Sequence, residues 1–257
     1  MSPGFDPDWL VPQWNAPGIG AVMTTRAGGI SKAPFDSLNL RDGLGDDPAA
    51  VAHNQRVVAA AIGASPVWLN QVHGRTVVRL TADDARADAA MHEADASIAT
   101  QPGVVCAVQV ADCLPALFAA PDGRAVGAAH AGWRGLALGV LEATLQAVCE
   151  AAACEPREVR AWLGACIGPA QFEVGADVLA ACHVAPESPR FAARGPAHPG
   201  KWLADLPALA RDRLHAAGVI DVSGGGWCTV SAPSRFFSFR RDRITGRMAA
   251  CIWISPC

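Results

Sequence analysis

With 257 residues, 51% of them hydrophobic, the chain can bury a sizeable core in one large domain or two small ones, which excludes global disorder. A net charge of −3 gives no electrostatic reason to expect nucleic acid or an anionic membrane surface as partner. Nine cysteines, an odd number at irregular spacings with no CxxC pair, argue against a secreted disulfide framework and against a zinc knuckle.

The opening MSPGFDPDWLVPQW lacks the basic segment and apolar core of a signal peptide, so a cytoplasmic location is expected. No stretch reaches ~18 uninterrupted apolar residues, and no membrane span is expected. In chain order, 19–25 reads as a strand and Arg26-Ala-Gly-Gly as a turn. Asp46-Asp47-Pro48 opens a helix that stops near Gly63, with carboxylates at its positive end. Residues 67–73 form a short strand ending in His73, 76–80 the next, and 81–93 a polar, Ala-rich exposed segment. Residues 94–100 lead into an apolar region, 106–135. Beyond Gly135 helical spacing continues to about residue 153. An apolar run at 159–168, an Ala-rich helix from Asp177, a surface loop over 184–200 and a helix over 203–218 follow. The segments FFSFRRD and RMAACIWI are expected to close the chain as a hairpin. Strands and helices mix without strict βαβ alternation, which points to an α+β fold or a mixed-sheet sandwich.

The chemistry concentrates in CAVQVADCLPALFAAPDGRAVGAAHAGWRG, 106–135. Asp122-Gly123 between apolar runs signals a hairpin. Centring it on 121–123 makes opposed positions sum to about 244. His130 then falls across from position 114, beside Cys113, and Pro115 marks an edge strand or a bulge. Opposed residues sit roughly 5 Å apart at Cβ, so a thiol, an imidazole and the Asp112 carboxylate converge. A buried cysteine can be simply a small hydrophobe. Here, however, Asp112, Cys113, His130 and Arg134 interrupt apolar strands, and buried polar groups are costly unless paired. Cys113 with His130 alone makes a nucleophile–base pair. Adding His73 makes three ligands with an open fourth position, as in catalytic zinc sites. Copper fits the same ligand types, but the seven histidines contain no His-x-His pair, which argues against a four-copper oxidase. Arg240, Arg241, Arg243 and Arg247 read either as an anion site or as a charged, solvated edge strand.

The motifs TTRAGGIS (24–31), SLNL (37–40), GDDP (45–48), WLNQVHG (68–74), ADA (94–96), ADCLPALF (111–118), AAHAGWRG (128–135), AWLGACIGP (161–169), FEVG (172–175) and FFSFRRDRITGRMAACIW (236–253) resemble, in order, the YfiH-like laccase-domain family. The resemblance covers nearly the whole chain and implies a single α-β-β-α domain over 1–257, with mixed sheets flanked by helices. It implies one zinc on His73, Cys113 and His130, with copper as the other candidate. It also implies a purine nucleoside enzyme, acting by phosphorolysis on adenosine, inosine, guanosine and methylthioadenosine and by deamination on adenosine. Two further readings come with the family: a copper-dependent polyphenol oxidase, and a cytosolic Cys–His hydrolase that edits peptidoglycan precursors. On this reading Asp112 is the general acid and Arg26 the anion clamp, while Asn39, Gln71 and Arg134 contact substrate. A monomer is expected, with a nucleoside and phosphate as its partners. Two positions depart from the family pattern: Gly43 stands where His is usual, and Ala165 where Pro is usual.

Overall fold

The computed structural model describes residues 4–86, 88–185 and 187–256. Its first half contains β1 (Ile19–Met23), α1 (Pro48–Ile62), β2 (Pro66–Val67), β3 (Val77–Leu80), β4 (Ala96–Ala99), β5 (Val105–Val110), β6 (Leu114–Ala119) and β7 (Val126–Ala131). Next come α2 (Trp133–Leu138), α3 (Val140–Ala152), β8 (Arg160–Leu163), β9 (Glu173–Gly175), α4 (Ala176–Ala181) and β10 (Phe191–Ala193). The chain ends with β11 (Lys201–Ala204), α5 (Leu206–Ala216), β12 (Asp221–Gly224), α6 (Phe239–Asp242) and β13 (Met248–Ile254).

Two mixed sheets carry the fold: four strands in the order β1-β13-β5-β2, and six in the order β12-β8-β6-β7-β4-β3. Every residue of β5, β6, β7 and β13 is buried. Strands covered on both faces read as continuous apolar runs rather than alternations. One core lies between the sheets, with Val108, Val110 and Ile252 from the smaller and Leu117, Val126 and Ala128 from the larger. The outer face of the larger sheet buries Leu114 and Phe118 under Leu141, Leu145 and Val148 of α3 and Leu206 of α5. The outer face of the smaller sheet packs Val105, Cys251 and Trp253 against Val58 of α1. Helix, sheet, sheet, helix is the expected single-domain α+β sandwich. The α1 boundaries also follow the sequence: Asp47 caps the N-terminus by accepting from the Ala49 N–H, and Gly63 closes the helix at φ 82.

Several local expectations need correcting. The apolar runs on either side of Asp112-Cys113 belong to different sheets, β5 to the smaller and β6 to the larger, so the break is a crossover between layers. Strand β6 is flanked by β8 and β7 and is no edge strand; the Pro115 carbonyl still accepts from the Gly164 N–H at 2.9 Å. The helix expected after Gly135 is two helices, split where Gly139 takes φ 89. The strand expected over 67–73 shrinks to β2 and an isolated bridge at Asn70. The loop expected over 184–200 contributes β10, which pairs with β11 and through it with β9. Among the described residues the C-terminal segments form no hairpin: residues 239–242 are helical, and β13 pairs with β1 and β5. A strand as apolar as MAACIWI is stable only with neighbours on both sides and cover on both faces.

Candidate functional site

His73, Cys113 and His130 reach one point from three separate elements, and their donor atoms all lie within 4.8 Å of one another. Cys113 sits at the crossover between the sheets, just before β6. It follows a bend at which Asp112 takes φ 94. The Asp112 side chain pins that bend: Oδ1 accepts from the Thr229 hydroxyl at 2.5 Å and Oδ2 from the Arg240 N–H at 2.6 Å. Hairpin partners β6 and β7 pair Pro115 with His130 and Leu114 with Ala131, one residue off the expected register. In this register His130 shares a face with Pro115 and, by alternation, with position 113, so the slip brings Cys113 and His130 to one side. Cys113 lies one residue outside the ladder, on the side from which the thiol reaches the imidazole. Cys113 Sγ is 3.9 Å from His73 Nε2, and the two imidazole rings stand 4.9 Å apart at 73°. Gly132 is required here, since a Cβ on it would come within 2.8 Å of Cys113 Sγ and 3.1 Å of the His73 ring.

Asp95, which no sequence motif had marked for chemistry, organises both histidines. Its fully buried carboxylate accepts from His130 Nδ1 at 2.8 Å, leaving Nε2 to face the cluster. The same carboxylate accepts the N–H groups of Val72, His73 and Gly74 at 3.2, 2.9 and 2.6 Å, which holds His73 at φ 62. A carboxylate oriented on the far nitrogen of a ligating histidine fixes its tautomer and raises its basicity. A sequence signal existed: Asp95 immediately precedes the wholly buried strand ASIA, where an unpaired carboxylate would be costly.

The electrostatics follow from this packing. Burial works against a charged Cys113, but the His130 charge and hydrogen bonds from both imidazoles outweigh it and bring the thiol down to about 6. Burial likewise opposes a charged His130, yet the Cys113 thiolate and Asp95 push it up to about 9. Asp95 is desolvated too, but His130 and the backbone N–H groups hold it below the usual carboxylate value. The metal-free cluster is thus a thiolate–imidazolium–carboxylate relay. Its donor set, two imidazoles and an ionised thiolate facing a cavity, suits a borderline-soft divalent metal with an open coordination position.

That cavity, about 360 Å³, is lined by Arg41, Leu44, Gln71, Gln109, Phe239 and Arg247 together with the cluster. Of the expected contacts only Gln71 is on this wall, and its amide pairs with the Gln109 backbone in both directions, at 2.9 and 2.8 Å. Asn39 is fully buried behind the wall, bonded to the backbone of Arg41 and Arg247. Arg134 is exposed and stacks over Trp133 at 4.4 Å. Arg26 lies elsewhere. It bonds Asp36 and the carbonyl of Pro233 and stacks over Phe237 at 4.7 Å, so its guanidinium braces the loop instead of lining this cavity. Asp112 is not on the wall either. Gly43 takes φ 75, and a Cβ there would meet nothing within 4 Å. The cationic side chain of that loop on the wall is Arg41.

The sequence profile described as multi-copper polyphenol oxidoreductase laccase matches residues 20–255. The chain therefore belongs to this laccase-like family, of which YfiH is a member. A Pseudomonas aeruginosa protein named purine nucleoside phosphorylase is 49% identical over 96% of this chain and 98% of its own length. Purine nucleoside phosphorylase YfiH of Escherichia coli is 46% identical over 95% and 98%. Among solved structures, a Neisseria meningitidis protein superposes with TM-score 0.88 at 45% identity, covering 97% of this chain and all of the other. YlmD of Geobacillus stearothermophilus gives TM-score 0.88 at 34% identity over 96% of each.

Proposed function

We propose that this protein is a zinc-dependent purine nucleoside phosphorylase acting at the His73–Cys113–His130 cavity. The observation that carries the reading is the convergence of those three donors on one substrate-sized cavity, in a chain about half identical to a named phosphorylase. His73, Cys113 and His130 would hold the metal, which when bound supplies a positive charge that polarises an oxygen ligand. Asp95 holds His130 in the required tautomer and His73 in its turn. Phe239, 47% exposed, offers a flat apolar face for a purine base. In phosphorolysis a hydrogen phosphate oxygen bonds to C1′, the C1′–N bond breaks, and the base leaves with the electron pair. The proton lost by the phosphate balances the one gained by the base. We assign Asp112 to positioning, because both of its oxygens already accept hydrogen bonds away from the cavity wall.

All three ligands come from one chain, which supports action as a monomer, and irregular cysteine spacing supports the cytoplasm as its compartment. Among the described residues no helix is long and apolar enough to cross a membrane. A second reading, a thiol hydrolase, draws on the Asp95–His130–Cys113 relay, which orders carboxylate, imidazole and thiol as acyl-transfer enzymes do. Chromatography of adenosine incubations with and without phosphate, beside Cys113→Ala, separates the possibilities. Adenine and ribose 1-phosphate formed only with phosphate and intact Cys113 establish phosphorolysis, whereas inosine reports deamination. No product in either condition rejects the nucleoside reading.

A further inference from the structure

Two guanidinium groups share the wall of the metal-ligand cavity, those of Arg41 and Arg247. Among the described residues neither forms a salt bridge, whereas Arg26, Arg190, Arg213 and Arg241 each hold a carboxylate. Arg41 donates to the Gln109 amide oxygen at 3.3 Å, and Arg247 to the carbonyls of Thr245 and Gly246 at 2.9 and 3.1 Å. Their proximity is built in. Asn39 Oδ1 accepts the backbone N–H of Arg41 at 3.1 Å and of Arg247 at 2.9 Å, and Asn39 Nδ2 is itself fixed by Asp46 at 2.9 Å. Burial, and the Arg41 charge beside it, hold Arg247 below the usual arginine value. The Cys113 thiolate and the Asp112 carboxylate offset part of that repulsion. A bound divalent metal would offset the thiolate charge and leave Arg247 only the Asp112 carboxylate, whose oxygens already accept from Thr229 and the Arg240 N–H.

We propose that Arg41 and Arg247 form a subsite for a phosphoryl oxyanion beside the His73–Cys113–His130 cluster. Guanidinium forks match tetrahedral oxyanions bidentately. Like charges held side by side on a cavity wall are favourable only when an anion joins them. The five N–H donors of each guanidinium exceed the acceptors that the protein supplies here. The oxyanion is either free phosphate or the phosphate of a nucleotide ligand. Its role as co-substrate rests on the nucleoside reading; its binding does not.

Calorimetric titration of inorganic phosphate into zinc-loaded protein at constant ionic strength tests the subsite. Wild type and the exposed-surface control Arg124→Gln are expected to bind equally. Arg41→Gln should weaken binding about tenfold, the worth of one charge-assisted hydrogen bond. Arg41→Lys, which keeps the charge but not the fork, should fall between them and serves if the glutamine variant folds poorly. A parallel titration with adenosine 5′-monophosphate identifies the source: tighter binding than phosphate marks a nucleotide, weaker binding marks free phosphate, and Arg41 dependence of either supports the subsite. Absent phosphate binding in wild type, or equal binding in folded Arg41→Gln, overturns it. Arg41-dependent phosphate binding without phosphorolysis would strike only the nucleoside reading. Phosphorolysis with an unchanged phosphate KM in Arg41→Gln would strike only the subsite.

Discussion

Asp95 is where a single substitution says most about the site. In chelator-treated protein the Cys113 thiol titrates at about 6, so iodoacetamide labelling should rise with pH around that value and be near its plateau at neutrality. The sign of an Asp95→Asn effect follows from the relay. Without the carboxylate, His130 loses its proton at lower pH, less positive charge faces the thiolate, and the Cys113 midpoint moves up toward an ordinary thiol. An unchanged or lowered midpoint would show that Asp95 does not govern the pair. The same variant should bind zinc about 10–100-fold more weakly, as loss of an orienting partner to a ligating histidine generally does. Arg26 offers the opposite expectation. Arg26→Ala removes the link to Asp36 and Pro233 and the contact with Phe237, and should cost about 1–3 kcal/mol in denaturant unfolding while the phosphate dependence of turnover stays put. A raised phosphate KM with unchanged stability would return Arg26 to the substrate.

At the scale of elements, the site depends on backbone approaches that no side-chain motif describes. Gly132 joins β7 to α2 and passes within contact distance of both Cys113 and His73. Gly132→Ala should therefore lower zinc affinity far more than stability, because the exposed-side ligand His73 can yield while the core beneath does not move. Equilibrium dialysis together with thermal unfolding checks this; full zinc affinity in the variant would contradict the close approach. The Asp112 bend is the other such element. It carries the chain from one sheet to the other and presents Cys113 on the face that the observed register gives to His130.

For the whole molecule, a metal held by His73, Cys113 and His130 would be a source of stability separate from the apolar cores. Three apolar clusters hold the sheets and helices together, and Cys113 packs against the one between the sheets. Chelation should lower the melting temperature by the linkage contribution, about 2.7 kcal/mol for metal at a hundredfold over its Kd, and leave the far-UV circular dichroism intact. Collapse of that signal would mean that the metal holds the fold. Phe118→Ala, in contrast, empties space under α3 and should cost about 3–5 kcal/mol. Its zinc stoichiometry should survive at temperatures where the variant remains folded.

The sequence by itself determined the layered α+β class and the α1 boundaries from Asp47 and Gly63, and through the family motifs it pointed to His73, Cys113 and His130, which the fold gathers into a cluster that could hold a metal. These are local signals: apolar runs, caps and short motifs, each legible within a few residues. Asp95, just before a buried strand, and Gln109, within one, were also within reach as buried polar residues. Only the tertiary structure decided that β5 and β6 lie in different sheets and that β13 sits between β1 and β5. It also decided that Arg41 and Arg247, 206 residues apart in the chain, are fastened by one asparagine to the same cavity. Such pairings depend on how distant segments pack and on which charges that packing leaves without a partner, and spacing along the chain carries no record of either.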